Sequence, residues 1–157
     1  MQKITPFLWF NDQAEEAVRF YLSIFKGSKI LKVTRYTEGG PGKPGSVLTI
    51  KFRLLGQEFV ALNGGQVFKF SPAISLFVNC RTQAEVDYYW RKLSAGGKKG
   101  QCAWLDDKYG ISWQIVPTIL PELLGSKDPK KSNRVMQAML KMSKIDIKRL
   151  QRAAAAK

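Results

Sequence analysis

The stretch FNDQAEEAVRFY, residues 10–21, decides the fold because it returns later in the chain as VNCRTQAEVDYYW, residues 78–90. In both stretches a strand-like apolar segment is followed by a Gln-Ala-Glu tripeptide and then by an aromatic pair. Both stretches also share the type of helix-capping residues, a predicted strand before the helix and the same order of elements after it. We therefore predict an internal duplication, in which the same strand-to-helix corner is used twice.

Each corner is predicted to begin a helix. Asp12 with Glu15, and Thr82 with Glu85, have the spacing of a capping box. Apolar residues then recur at helical spacing on one face of each segment. The first stripe is Ala14, Val18, Tyr21 and Phe25, and the second is Val86, Tyr89, Trp90 and Leu93.

The segments around these helices predict strands. In the first half they are 3–10, 29–37, 46–55 and 57–63, with a hairpin at Gly56. In the second half they are 73–80, about 101–106 and about 111–117. The predicted class is α+β: two tandem βαβββ-type modules form a cupped mixed sheet and are followed by C-terminal helices.

The whole chain of 157 residues is predicted to be a single domain. Within it we place module one at about 1–65, module two at about 70–117 and a helical C-terminal appendix at about 118–157. The appendix is predicted to contain a turn at 119–124, a helix from Ser132 to Met142, and a last helix capped by Ser143 with Asp146. Its apolar stripe, which we expect to pack on the sheet or on a partner subunit, is Val135, Met139 and Met142.

The net charge of +14 is unusual and is concentrated at the C-terminus. From Lys127 onward there are ten Lys or Arg against Asp128 and Asp146. Such a charge invites nucleic-acid association through residues 127–157. The segment has no aromatic residue for base stacking, which favours a solvated basic helix face over a nucleic-acid site.

Several function classes are excluded by residues that the sequence lacks. There is no histidine, so a serine triad of the usual kind and a His-containing metal site are impossible. Cys80 and Cys102 have no metal-ligand spacing and make no disulfide framework, so we interpret them as buried or idle thiols. The N-terminus has no signal-peptide layout and no apolar run reaches membrane length, so a cytoplasmic protein is expected.

Five stretches of the sequence carry a family resemblance: ITPFLWFNDQAEEAVRFY, LNGG, FKFSPAISLFVNC, WLDDKYGISWQIVP and VMQAMLKMSKIDIKRL. Together they resemble the vicinal oxygen chelate (glyoxalase/bleomycin-resistance) superfamily. Within it they resemble the PhnB-like branch, labelled a 3-demethylubiquinone-9 3-methyltransferase domain. The resemblance implies a homodimer of paired modules, each cupped sheet enclosing a small pocket.

In metal-using members of that superfamily, the ligands project from the first and last strands of each module. The resemblance places Thr5, Ala73 and Gln114 at three of these positions, and Ala61 or Asn63 at the fourth. None of these side chains is a good ligand for a divalent metal. We therefore expect no metal and no cofactor at this site.

The methyltransferase label has no support in the residues. A methyl-donor site of the Rossmann type needs a Gly-rich loop between a strand and a helix. The glycine-rich stretch GGPGKPG, residues 39–45, is interrupted by proline and joins two predicted strands. We therefore expect no methyl transfer of that type.

Strand alternation predicts which side chains face the cup. The expected lining is aromatic with a few neutral polar groups, and it consists of Thr5, Phe7, Trp9, Phe59, Asn63, Ser75, Phe77, Ser112 and Gln114. Two interpretations remain open. The residues line a small-molecule pocket, or they are the packed interior of the sheet.

Three functions follow from these observations. The favoured one is the binding of a small, partly aromatic molecule without an assigned reaction. The alternatives are an enzyme acting on a small molecule, with Asp106, Asp107 or Tyr109 as acid or base, and nucleic-acid association through the basic tail. Gln114 occupies the position of a carboxylate in metal-using relatives, which is why binding is favoured over catalysis.

Overall fold

The computed structural model describes residues 2–156, which divide after Phe70 into two compact units. The first unit contains β1 (Phe7–Phe10), α1 (Ala14–Ile24), β2 (Lys29–Arg35), β3 (Val47–Leu54) and β4 (Gln57–Asn63). The second contains β5 (Ser75–Cys80), α2 (Gln83–Leu93), β6 (Lys98–Lys99), β7 (Trp104–Asp106), β8 (Ser112–Pro117), α3 (Ile119–Leu124), α4 (Pro129–Leu140) and α5 (Ile147–Ala155). Across residues 2–156, no helix combines the length and apolarity needed to cross a membrane.

Each unit has a four-stranded mixed sheet with the same strand pattern. The order is β1-β4-β3-β2 in the first unit and β5-β8-β7-β6 in the second. The first and last strands of each module pair in parallel, whereas the other neighbours are antiparallel. The α+β class and the duplicated module are confirmed.

In the first unit, α1 packs on one face of the sheet. Its predicted stripe is buried as expected, with Ala14, Val18, Tyr21 and Phe25 at most 3% exposed. The hairpin between β3 and β4 turns at Leu55 and Gly56, whose φ angles are 46° and 91°. Two successive positive φ angles make the tight turn that suits the twist of a hairpin. Gly56 adopts its positive φ angle without strain because glycine has no Cβ atom.

The predicted capping box at the start of α1 is wrong. Gln13 is the N-cap residue and no capping side chain of its own corner is used. Instead Asn63, at the end of β4, accepts a hydrogen bond from Ala14 N at 2.8 Å. The same amide donates to Val47 O at 3.0 Å, so one side chain joins α1, β3 and β4.

In the second unit, the predicted cap of α2 is confirmed. The Thr82 hydroxyl accepts from Glu85 N, and the Glu85 carboxylate accepts from Arg81 N. Val86, Trp90 and Leu93 are buried, whereas Tyr89 is half-buried. The strand predicted at 101–106 begins only at Trp104.

The late start of that strand has a cause in the C-terminal segment. Cys102 N and Ala103 N donate to Met142 O and Ser143 O, at 2.8 and 2.9 Å. Cys102 and Ala103 both have positive φ angles, of 55° and 75°, which do not suit a strand. The connection to Trp104 is therefore held by the appendix as well as by the sheet, where Ile115 N donates to Ala103 O at 2.9 Å.

The appendix belongs to the second unit, and two of its predicted helix starts need correction. The helix predicted from Ser132 begins at Pro129, because Asp128 caps it and proline suits the first helical turn. The last helix is capped by Asp146 alone, since the Ser143 hydroxyl donates to Gly100 O. Of the predicted stripe, Val135 and Met142 are buried in a cluster with Ala103, Val116, Leu120, Ile145 and Leu150, and the half-buried Met139 packs against it.

Candidate ligand site

The first sheet has one face covered by α1 and a second face directed away from it, which we call the far face. Strand register assigns each side chain to a face, because paired residues point the same way. Phe7 pairs with Val60, Trp9 with Leu62, Lys51 with Val60, and Thr49 with Leu62. The far face therefore consists of Phe7, Trp9, Thr49, Lys51, Arg53, Glu58, Val60 and Leu62.

Two predicted lining residues, Phe59 and Asn63, lie on the other face. Phe59 is 6% exposed and stacks on Phe52, with ring centroids 5.5 Å apart. Asn63 is committed to the start of α1. The prediction failed because both faces of β4 hold apolar residues, so alternation alone does not say which face is covered.

A cavity of about 370 Å³ opens beside Trp9 in the first unit. Its lining is mostly apolar and aromatic, and it includes Trp9, Tyr36, Pro41, Leu48 and Leu62, with Arg35, Thr37, Gly40 and Gly64. Such a size is at the lower end of the range for small-molecule sites. Of the predicted lining residues, only Trp9 borders this cavity.

The indole of Trp9 is held in place on two sides. Its Nε1 donates to Gly65 O at 2.8 Å, and Phe68 meets the ring edge-on with centroids 4.9 Å apart. Gly64 lies so close that a Cβ atom there would overlap the indole ring. The glycine at position 64 in the LNGG stretch therefore leaves room for the indole ring of Trp9.

Polar groups at this cavity come from β2 and the loop that follows it. The Tyr36 hydroxyl donates to Asn63 O at 2.6 Å, which ties the loop to the end of β4. Arg35 is exposed, and its Nη1 donates to Gly45 O at 2.9 Å. The wall of the cavity is therefore aromatic and aliphatic, with one cation on β2.

An ion cluster lies on the far face of the same sheet. The Glu58 carboxylate is 2.8 Å from Lys51 Nζ and 2.6 Å from Arg53 Nη2. Hydrogen bonds from Lys51 and then Arg53 lower the pKa of Glu58 to about 2. Glu58 is therefore an anion neutralised by two neighbours, which makes it a poor general base at neutral pH.

In the second unit, the register puts Ser75, Phe77, Ser112 and Gln114 on one face of the sheet. Gln114 Nε2 donates to Ser75 Oγ at 2.8 Å, and Ser112 Oγ donates to Asp106 Oδ1 at 2.6 Å. Phe77 is 50% exposed. Three of the four side chains are therefore joined in short hydrogen-bonded pairs along this face.

The positions that hold metal in related folds do not suit a metal here. Ala73 lies in a turn before β5, and its place in the repeat is taken by Ser75, the equivalent of Thr5. Ser75 and Gln114 are hydrogen-bonded to each other, and Asn63 is engaged with α1. Among residues 2–156, no three Asp, Glu or Cys side chains come close enough to share a metal ion.

The suggested acid or base Asp107 is a structural residue. It is 3% exposed, and its Oδ1 accepts from Tyr109 N and Ile111 N at 2.9 and 3.1 Å. Its Oδ2 accepts from Trp113 Nε1 at 2.8 Å. A carboxylate that accepts three N–H groups holds the turn in place and has little capacity left to take a proton from a ligand.

The cysteine interpretation agrees with the structure at Cys80. This residue is buried in β5, and burial raises the pKa of its thiol to about 12. The thiol is therefore protonated at neutral pH and is not a nucleophile. Cys102 is half-buried beside the C-terminal segment, and its Sγ lies 3.8 Å from Met139 O.

The sequence interpretation missed Tyr36, Arg35, Leu62 and Glu58. A signal for two of them was present in the hairpin. A two-residue turn at Leu55 and Gly56 fixes Glu58 opposite Arg53 and Leu62 opposite Thr49. Tyr36 and Arg35 have no such signal, because they reach the cavity through the fold of the loop at 36–45.

Comparison with known proteins places the chain in a family. The family model described as 3-demethylubiquinone-9 3-methyltransferase matches residues 2–116. The PhnB protein from Bacillus cereus is 43% identical over 74% of this chain and all of its own, with a TM-score of 0.68. No curated protein matches the chain.

Two further solved structures share the fold at low identity. Protein PA1353 from Pseudomonas aeruginosa is 16% identical, covering 74% of this chain and 98% of its own, with a TM-score of 0.62. A glyoxylase/bleomycin resistance protein/dioxygenase domain from Frankia sp. EAN1pec is also 16% identical, covering 74% and 92%, with a TM-score of 0.50. The family match ends at residue 116, so the likeness predicted for the C-terminal segment lies outside it.

Proposed function

The chain belongs to the 3-demethylubiquinone-9 3-methyltransferase family of the vicinal oxygen chelate superfamily, and we propose that it binds a small, partly aromatic molecule. The cavity beside Trp9 carries this proposal. Its volume of about 370 Å³ accommodates one or two rings. The binding requires no metal and includes no assigned reaction.

The lining supports a ligand with a flat apolar body. Trp9 is fixed by its bond to Gly65 O and by Phe68, so its ring is positioned before a ligand arrives. A preorganised aromatic wall costs little entropy on binding. Leu62 and Leu48 offer aliphatic contact on the other sides.

The exposed Arg35 supports an acidic substituent on the ligand. Arginine binds carboxylates through two parallel N–H groups, and Arg35 has one guanidinium nitrogen engaged with Gly45 O. The chemical class that fits these contacts is an aromatic or hydroxyaromatic acid.

The support for binding is stronger than the support for catalysis. The Asp107 carboxylate accepts hydrogen bonds from three N–H groups, and the Glu58 carboxylate forms ion pairs with two cations. Neither carboxylate is placed to act as a general base. The glycine-rich stretch at 39–45 joins β2 to β3, so it does not form the strand-to-helix loop of a Rossmann methyl-donor site. The methyltransferase description of the family is therefore not extended to a mechanism for this chain.

Thermal unfolding with benzoate, 4-hydroxybenzoate, benzamide and cyclohexanecarboxylate tests the proposal. An aromatic acid at about 100 times its Kd would stabilise the fold by roughly 2.7 kcal/mol. We expect the aromatic acids to raise the Tm most, and benzamide to raise it less because it lacks the charge for Arg35. If none of the four raises the Tm, the proposed ligand class is wrong.

A pair of variants locates the site. Leu62→Trp fills the cavity, whereas Val60→Trp adds the same bulk on the same face of β4 but outside the cavity lining. We expect the ligand-induced rise in Tm to disappear in the first variant and to persist in the second. Equal responses in both would place the ligand elsewhere on the chain.

We also propose that the chain acts in the cytoplasm as a homodimer. The family resemblance supports the dimer. Light scattering coupled to size exclusion measures the first, and a mass of one chain of 17.7 kDa would contradict it. Cell fractionation with an antibody measures the second.

A further inference from the structure

The C-terminal segment, residues 127–157, holds most of the net positive charge of the chain. It contains ten Lys or Arg against two Asp, which makes eight of the fourteen net charges in a fifth of the residues. This segment lies beyond residue 116, where the family match ends. Its charge is therefore not part of the shared domain and requires its own explanation.

The two carboxylates of this segment do not neutralise its lysines and arginines. Asp128 Oδ1 accepts from Lys130 N at 2.9 Å, and Asp146 Oδ1 accepts from Arg149 N at 3.0 Å. Each carboxylate is thus used as an N-cap, at the helix end where negative charge is favoured. Both carboxylates therefore cap the helices α4 and α5 and, within residues 127–156, do not form ion pairs with the cations of the segment.

Two of the cations have structural partners. Arg134 Nε donates to Ala153 O at 3.1 Å, and its Nη2 donates to Ala154 O, so it binds the C-terminal end of α5. Lys144 forms an ion pair with Asp87 of α2. These contacts, with the buried Val135 and Leu150, fix α4 and α5 against each other.

Six other cations are exposed: Lys127, Lys130, Lys141, Lys148, Arg149 and Arg152. Within residues 2–156, none of the six forms an ion pair. Lys130 and Lys141 lie three helical turns apart on α4, a distance of about 16 Å along the axis. Lys148, Arg149 and Arg152 share the outward side of α5, because three- and four-residue spacings return to one side.

We propose that α4 and α5 form a binding surface for double-helical nucleic acid. Six cations that form no ion pair lie on α4 and α5 or directly beside the ends of α4, and they are complementary to the regular phosphates of a duplex. Residues 117–157 contain no Phe, Trp or Tyr, so base stacking of the kind that holds single strands is unavailable. The contacts are to the backbone, and the binding is independent of base sequence.

The same surface fits an anionic membrane less well. A helix that lies in a membrane interface needs bulky apolar residues on its exposed side. On α5 the bulky residue Leu150 is buried in the cluster, and the exposed side presents Lys148, Arg149, Gln151 and Arg152. On α4 two bulky apolar residues are exposed, Met136 at 38% and Leu140 at 52%, which is a small apolar area for insertion beside six cations.

Fluorescence anisotropy with a labelled DNA duplex of about 20 base pairs tests the proposal, at ionic strengths from about 50 to about 200 mM. Six phosphate contacts predict that the affinity falls about a thousandfold over this range. The variant Lys148→Gln/Arg149→Gln/Arg152→Gln leaves three contacts, so its affinity is expected to fall only about fortyfold over the same range.

The matched control is Lys26→Gln/Lys29→Gln/Lys32→Gln, which removes three exposed cations from the first unit. It keeps the overall charge equal to that of the α5 variant, and we expect it to retain the salt dependence of the unmodified protein. Equal weakening by both variants would show that only net charge matters. That result overturns the assignment to α4 and α5.

Two further measurements distinguish a DNA duplex from a single strand and from a membrane as the binding partner. A single strand of the same length is expected to bind more weakly than the duplex, and tighter binding would contradict a surface without stacking groups. Sedimentation with vesicles of phosphatidylserine and phosphatidylcholine is expected to show little bound protein. Vesicle binding that depends on the α5 cations, without duplex binding, would replace nucleic acid with a membrane as the partner.

Discussion

The two strand-to-helix corners share a Gln-Ala-Glu tripeptide, yet different forces hold them. At the second corner Thr82 and Glu85 cap α2 from within the corner itself. At the first, the cap is Asn63, which lies 49 residues further along the chain. The same local sequence is therefore stabilised once by a local contact and once by a tertiary contact.

Strand pairing explains why the corners differ. Phe10 pairs with Asn63 in the first unit, and Cys80 pairs with Pro117 at the equivalent position of the second. Proline has no side-chain amide, so β8 has no group to offer to α2. The second helix must supply its own cap, and the threonine and glutamate do so.

The largest effect is expected from removing the tertiary cap. Asn63→Ala leaves the buried Ala14 N–H and the Val47 carbonyl without their partners, and we expect a loss of about 2–4 kcal/mol. Asp12→Ala removes only the side chain that the capping-box pattern had indicated, and it should cost less than about 0.5 kcal/mol. Urea unfolding measures the free energy of unfolding of both variants. A larger loss for Asp12→Ala than for Asn63→Ala would show that α1 is capped by its own corner and not by Asn63.

The connections before the last strands sharpen the same comparison. In the first unit the β3–β4 connection is a turn of two residues, Leu55 and Gly56. In the second unit the longer β7–β8 loop is held by hydrogen bonds to the carboxylate of Asp107. Asp107→Asn replaces one acceptor oxygen by an N–H group facing a donor, and we expect a loss of about 2–3 kcal/mol. Asp106→Asn is the control, with a loss under about 1 kcal/mol, since the Ser112 hydroxyl can reorient. Similar losses for both would contradict the role given to Asp107.

The local cap of α2 is expected to contribute less. Thr82→Ala removes the acceptor for Glu85 N and should cost about 1 kcal/mol. Thr82→Ser keeps the hydroxyl and should retain most of the stability. A loss in Thr82→Ala that matches Asn63→Ala would mean that the two corners do not differ in how they are held.

The smallest effect concerns the ion cluster of the first sheet. Because the pKa of Glu58 is lowered from 4.5 to about 2, its contribution to stability is present above pH 4.5 and is lost as the pH falls through 2. The difference in unfolding free energy between the protein and Glu58→Gln should therefore shrink over this interval. It should also shrink in about 1 M salt, which screens the pairs. A difference that grows on acidification would have the wrong sign.

Much of the fold follows from local patterns that need no distant partner. The stripe of α1, the cap of α2 and the turn at Gly56 depend on residues within a few positions of one another. The duplication predicted that both units have the same order of elements along the chain, because the repeated corner carries that order with it. The family resemblance was readable for the same reason, from motifs that lie on strands and corners.

The candidate site was less predictable. Trp9 was identified from alternation along one strand, but Phe59 and Asn63 were assigned to the wrong face of β4. Alternation fixes which residues share a face and leaves open which face the helix covers. Tyr36 and Arg35 reach the cavity only because the loop at 36–45 folds back towards β4.

The sequence by itself determined the order of the elements, their duplication and the lack of histidine, because helix and strand periods and side-chain chemistry are local properties. Tertiary structure decided which face of each strand is covered, that Asn63 caps α1, and that the appendix holds residues 102–103 through the carbonyls of Met142 and Ser143. Those outcomes depend on which distant groups meet, and a buried polar group takes whichever partner the completed fold brings within hydrogen-bonding distance.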